Sequence, residues 1–237
     1  MTPLDKKPIH HYAPDEIELK QDVTPRSIAV IRMFIASLHA ILFVYLFWLY
    51  GVGEFKGLLL YLTQWGFALT FAYFATSSVT QQDNRPTRNL SPFFHVCFSL
   101  ECLITLMYWM VIFPTQHSRE NRLRAPSTDI NVLMHKKLAQ ALLHTVPIAC
   151  LAVDFCINKI LLTIEAMWML FALLGGYLLV NFTSVVIFGI RVYAIIDYKQ
   201  YHTYLILLNA SVLAWAFWKL PMHLQKHKFV VHRETSN

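Results

Sequence analysis

The sequence predicts an all-α membrane protein, a bundle of six transmembrane helices with both termini on the same side. Three observations lead there. Six apolar runs occur, approximately residues 27–50, 58–79, 91–113, 138–157, 168–188 and 201–220. Each has about the 20 residues that a helix needs to cross a hydrocarbon core of about 30 Å. Stretches such as 41–49 and 169–174 do not alternate apolar with polar residues. The strands of a membrane barrel, the other structure that satisfies its backbone in lipid, alternate over about 10 positions. Finally, 56% hydrophobic and 14% charged residues in a chain of 237 leave little for a soluble catalytic module. One domain is expected.

The chain divides into a polar N-terminal extension, residues 1–26, a six-helix transmembrane domain, 27–220, and a basic polar C-terminal tail, 221–237. The extension lacks the apolar stretch of a secretory signal. Asp5, Asp15, Glu16, Glu18 and Asp22 make it too acidic for a mitochondrial presequence, so targeting rests on internal helices. Pro3, Pro8, Pro14 and Pro25 break any long helix in it. Polar ends of this kind order on a surface or a partner, so membrane lipids and protein partners holding the termini are expected.

Within the spans the polar residues carry the information, because ionisable groups there are costly and often functional. On helix one, Arg32 lies about one turn from the helix start and is expected to snorkel to the headgroups. His39 on helix one and Glu101 on helix three sit near mid-span. They are expected to hydrogen-bond across the bundle, with Glu101 protonated. His95 is placed near an interface, as a headgroup contact. Asp154 is near the exit of helix four, where Lys159 is the expected partner.

The four cysteines, Cys97, Cys102, Cys150 and Cys156, fall inside helices without zinc-ligand spacing. They read as small packing residues, with no disulfide framework, metal or cofactor implied. The net charge of +6 is scattered over loops on both faces. That argues against a nucleic-acid partner and suits anionic lipid. The positive-inside rule turns the termini toward the cytoplasm, or toward the matrix of a mitochondrion. The expected location is a multi-pass integral membrane site, in the mitochondrial inner membrane or in the endoplasmic reticulum or plasma membrane. No row of charges runs along one helix, and Gly175-Gly176 alone do not make a broken helix, so a transporter or channel is disfavoured.

One pair of residues points to chemistry. Helices two and four begin on the same membrane face. Thr63 and His144 each lie about 8–9 Å below it, at a rise of about 1.5 Å per residue. Pro147 leaves the Leu143 carbonyl without its helical N–H, bending the chain beside His144. A Thr hydroxyl beside a His base is the minimal nucleophile pair for acyl transfer. Asn181, Thr183 and Ser184 on helix five share that leaflet as candidate lipid or polar pocket contacts. Arg122 and Arg124, in the basic loop 114–137, are placed to attract a lipid carboxylate.

These residues carry a resemblance. Tyr61-Leu62-Thr63, His144-Thr145 followed by a proline, Gly176-Tyr177, Gly189, Val192-Tyr193 and Asp197 occur in order and spacing. Together they resemble the androgen-induced protein and androgen-dependent tissue-factor-pathway-inhibitor-regulating protein family. The resemblance runs from Leu58 to the last helix. It implies a six-helix membrane hydrolase that cleaves esters of fatty acids with hydroxy fatty acids, with Thr63 as nucleophile and His144 as base. The chain departs from the family pattern at Gln140 and Ala141, where an Asn-His pair is usual. Its proline comes two positions early, at Pro147. Val185 and Val186 replace a His pair found in some members, and Ala194 replaces a proline.

Two readings follow. In the first, the fold is kept as a lipid-contacting, non-catalytic subunit of a larger membrane assembly, such as a mitochondrial inner-membrane complex. The apolar replacements around His144 favour it, since catalysis needs polar groups that orient the nucleophile and bind the oxyanion. In the second, the chain is an active intramembrane threonine hydrolase on such lipid esters.

Overall fold

The computed structural model describes residues 25–58, 60–80, 90–115, 130–157, 162, 164, 166–190, 192, 193 and 196–234. Lys159, Arg122 and Arg124 lie outside them, as does the head up to residue 24. The described chain is helical, without a strand. Its helices are α1 (Pro25–Leu58), α2 (Leu62–Thr80), α3 (Leu90–Met107, continued by a π turn at Tyr108–Ile112), α4 (Ile130–Ile157), α5 (Ala166–Val186) and α6 (Tyr201–Glu234). Each helix carries most of one apolar run. Five of them, all but α2, are long and apolar enough to cross a membrane. The exception is instructive. α2 turns Thr63, Gln64, Thr70, Tyr73 and Ser77 inward, so its lower apolarity reflects a helix built to face protein.

α3 is the hub of the bundle. It packs against α2, α4, α5 and α6. Half of its apolar window is buried inside the protein (50%), against 28% or less in the other four spans. In lipid, apolar burial between helices gains little, so association rests on close packing and interhelical polar contacts. α3 supplies both. Phe94, Cys97 and Phe98 pack with Tyr73, Phe74 and Leu151, while Val96, Leu100 and Ile104 pack with Leu170 and Trp218.

The same helix repairs one proline break and bonds beside a second. Pro221 deprives the Phe217 carbonyl of its helical N–H. Ser99 Oγ donates to that carbonyl at 3.2 Å, and His95 Nε2 donates to the next one, Trp218 O, at 2.8 Å. A carbonyl only accepts, so Nε2 carries the proton. α6 therefore continues through Pro221 to Glu234. In α4, where Pro147 frees the Leu143 carbonyl, Thr105 Oγ1 donates to the adjacent His144 carbonyl at 2.6 Å. His95 is thus a buried interhelical contact and not a headgroup ligand.

Arg32 does not snorkel. It is fully buried, with Nε and Nη2 donating to Asp154 Oδ1 and Oδ2 at 2.7 and 3.0 Å. Tyr73 OH donates to Asp154 Oδ2 at 2.6 Å. Asp154 thereby ties α1, α2 and α4 together, while Lys159, its expected partner, lies outside the described residues. His39 bonds its own helix, Nδ1 donating to Ile35 O at 2.9 Å, and its ring packs on Phe67 and Phe74. Glu101 does bond across the bundle: Thr70 Oγ1 donates to its Oε1 at 3.3 Å. Gly66 permits this approach. A Cβ there would lie 2.6 Å from both Glu101 Oε1 and Ile104 Cδ1. Gly66→Ala should therefore destabilise the bundle by about 1–3 kcal/mol through overpacking. A lowered unfolding temperature in detergent is the check, and an unchanged one would mean that both side chains yield freely.

Candidate functional site

α5 ends near Gly189, which takes a left-handed φ of 68°. The Ile190 N–H turns back to Ser184 O at 2.8 Å. The segment that follows returns to the bundle, with Val192 and Ile196 buried. Asp197 and Thr203 then fix the start of α6. Thr203 Oγ1 donates to Asp197 O at 2.7 Å and accepts from the Asp197 N–H at 2.9 Å. This returning segment closes a cavity of about 120 Å³ between α2, α3, α4, α5 and α6. A water needs about 10–15 Å³ on that measure, so there is room for an ester group and part of an acyl chain.

The cavity walls are mostly apolar. α3 contributes Leu103, Ile104, Met107 and Ile112, α5 contributes Leu174 and Leu178, and α6 contributes Ile206, Leu207 and Ala210. Thr63, His144, Asn181, Tyr177 and Tyr193 add polar groups, and Ser211 adds another on α6. α5 and α6 both pack on α3 and scarcely on each other. The exposed Ser211 carries the cavity wall to the outer face of the bundle.

Each polar group has a local cause for its position. Thr63 opens α2, where the first N–H groups lack helical partners. Tyr193 supplies one, accepting from the Leu62 N–H at 3.3 Å, and its hydroxyl lies beside Thr63. Burial raises the Tyr193 phenol above its ordinary pKa, which keeps it a proton donor. Tyr177 OH donates to Leu60 O at 3.1 Å, anchoring the turn before α2. Asn181 is fully buried; its Oδ1 accepts from Tyr198 OH at 2.9 Å, whereas its Nδ2 has no partner among the described residues.

His144 stacks on Tyr108, ring centroids 3.7 Å apart and planes 10° from parallel. Tyr108 opens the π turn of α3, a local irregularity frequent at functional sites. The His144 Nδ1 is buried without a partner among the described residues. The ring is therefore held by stacking and by the Thr105 bond to its carbonyl, with no carboxylate behind it.

The structure brings Thr63, His144 and Asn181 to one cavity. No hydrogen bond joins Thr63 to His144 among the described residues. Thr183 and Ser184 are not in the cavity wall. Ser184 Oγ donates to Val180 O at 2.8 Å, and the Thr183 carbonyl accepts from the Ile187 and Phe188 N–H groups at the end of α5. They lie two and three residues past Asn181, in the last turn of α5. The walls from α3 and α6, and the supporting Tyr108 and Tyr198, were not legible as site residues. Tyr177 and Tyr193 were visible only as spacing motifs.

Among the described residues, no cluster of His, Cys, Asp and Glu is placed to hold a metal. Compared with family models, with curated protein sequences and with solved structures, the chain matches none.

Proposed function

We propose that the chain is a six-span intramembrane hydrolase of fatty-acyl esters, with Thr63 as nucleophile and His144 as base. The observation that carries this reading is the shared cavity. Two residues far apart in sequence, of the two types that acyl transfer needs, line one apolar cavity in the bundle. The resemblance of their sequence surroundings to the androgen-induced protein family supports the same substrate class, esters of fatty acids with hydroxy fatty acids. In the first step His144 takes the proton of Thr63 Oγ as the oxygen attacks the ester carbonyl. The alcohol leaves with that proton, and an acyl-threonine remains. Water, activated by the same imidazole, then releases the fatty acid and restores the hydroxyl. Release of free fatty acid by the purified protein in bilayers is the test.

α2 is the sixth span in this proposal. Its 19 residues extend about 28 Å, close to the hydrocarbon thickness, and its polar face is turned inward. Six crossings put both termini on one side. Cysteines introduced at Met1 and Asn237 should react with an impermeant reagent from the same face, and labelling from opposite faces would refute the six-span count.

A second reading has its own support. Thr63 and His144 are not hydrogen-bonded, and Gln140, at a position polar in the family, donates to Tyr50 OH at 2.8 Å, away from the cavity. In that reading the chain is a non-catalytic, lipid-holding subunit of a membrane assembly such as a mitochondrial inner-membrane complex, with its polar ends on partner proteins. Absence of turnover by wild type, together with recovery in a stable complex after mild extraction, would select it.

A further inference from the structure

Asn181 carries an unused donor. Its side chain is fully buried and lines the cavity with Thr63 and His144. Tyr198 OH, from the segment before α6, donates to Oδ1 at 2.9 Å, which leaves Nδ2 as the other half of the amide. That half, Nδ2, has no partner in hydrogen-bond geometry among the described residues, with the Tyr177 hydroxyl, one turn back on α5, as a polar neighbour of the amide. A buried donor without a partner costs about 1–3 kcal/mol. An apolar residue of similar size would avoid that cost. The arrangement makes sense if the missing acceptor arrives with a ligand.

The cavity defines the ligand's chemistry. Its acceptor must reach Asn181 while the rest of the molecule lies on Leu174, Leu178, Ile206 and Leu207. A free sugar or nucleotide would leave its polar groups unpaired on those walls. A carbonyl at the head of an acyl chain fits both parts. The weak contact between α5 and α6, with exposed Ser211 in the wall, gives such a chain a lateral way in from the bilayer.

We infer that Asn181 Nδ2 is the donor for the acyl carbonyl oxygen of a bound fatty-acyl lipid, and that Tyr198 is its positioning residue. This rests on the hydrolase reading for its kinetic consequence, but not for binding. As Thr63 Oγ adds to the carbonyl carbon, the C=O pair moves onto oxygen. The Nδ2–H bond then meets an oxyanion, where preorganised donors act most strongly.

The test separates the two claims. An ester of oleic acid with a hydroxystearic acid, ¹³C-labelled at the ester carbonyl, is loaded into bilayer-embedded Thr63→Ala protein, which cannot form the acyl-enzyme. Its infrared carbonyl band should fall below the frequency of the same ester in protein-free bilayer. Asn181→Leu/Tyr198→Phe should return it to the bilayer value. Removing both partners together leaves no stranded hydroxyl, so the fold should hold. In protein that retains Thr63, the same double replacement should lower kcat/KM by about 10²–10³-fold, the usual effect of losing one oxyanion donor. Tyr198→Phe alone should give a smaller loss. A shift that depends on Asn181 in a protein without turnover keeps the inference and removes the catalytic reading. Turnover with a carbonyl band indifferent to Asn181 does the reverse. An unshifted band in the Thr63→Ala parent overturns the inference without need of the double variant.

Discussion

Asp154→Ala should destabilise the protein by about 3–5 kcal/mol, the usual consequence of removing one partner from a buried ion pair. The cost comes from what is left behind. Arg32 is fully buried and cannot shed its proton, so loss of the carboxylate removes a bonded anion from a guanidinium inside the bundle. Two bonds to the acid, at 2.7 and 3.0 Å, disappear together with the Tyr73 bond at 2.6 Å. A surface pair would be worth only about 0–1 kcal/mol. Arg32→Leu/Asp154→Leu should lie closer to wild type, because well-packed apolar replacements of buried pairs are often neutral, falling short of it by about 1–3 kcal/mol for the buried Tyr73 hydroxyl that loses its acceptor. Unfolding of single and double variants in mixed micelles measures this. If the double variant is as unstable as the two single losses added, the pair is not acting as a unit and the assignment is wrong.

The same pair shows how far the sequence can be read. Run length and the lack of alternation were sufficient for helices in a membrane, because lipid leaves so few ways to satisfy a backbone. Thr63 and His144 were paired by depth, and they do share a cavity. That rule also fits Arg32 and Asp154, near the start of one helix and the end of another that finishes on the same face. Arg32 looked instead like a snorkelling residue because a cation a turn from a helix start is usually that. Its burial depends on α2 and α4 covering it, which no local pattern records. A helix end is hidden for a related reason. Pro221 looks like a stop in isolation, but Ser99 on α3 donates to the carbonyl it frees and α6 runs on. The α6 wall of the cavity was illegible because Ile206 and Leu207 look alike whether they face lipid or a ligand. Asn181 was visible as a polar residue in an apolar helix, whereas its partner Tyr198 was not, since its role depends on how the chain returns after Gly189.

Thr63→Ala and His144→Phe should each lower ester turnover by on the order of 10⁴-fold or more, and the double variant should fall no further than the worse single one. Nucleophile and base act as one unit, so their losses do not add. Each tenfold is about 1.36 kcal/mol of barrier, so even the lower bound exceeds what misplacing a bound lipid would ordinarily produce. Phenylalanine at 144 keeps a ring against Tyr108, whose stacking at 3.7 Å holds this part of α4 to α3, while removing the basic nitrogens. Alanine at 63 removes one hydroxyl beside Tyr193 and leaves the Leu62 N–H bond to that tyrosine untouched. Unfolding temperatures should therefore change little, which separates lost chemistry from lost structure. Release of labelled fatty acid from detergent-purified and bilayer-embedded protein is the readout. Equal turnover in wild type and both variants would remove Thr63 and His144 from any catalytic role. Wild type that shows no turnover yet retains bound acyl lipid would favour the lipid-holding subunit. In that protein the missing hydrogen bond between the two residues would be the physical reason: a base that does not reach its proton leaves the hydroxyl a weak nucleophile, and the cavity keeps its ligand intact.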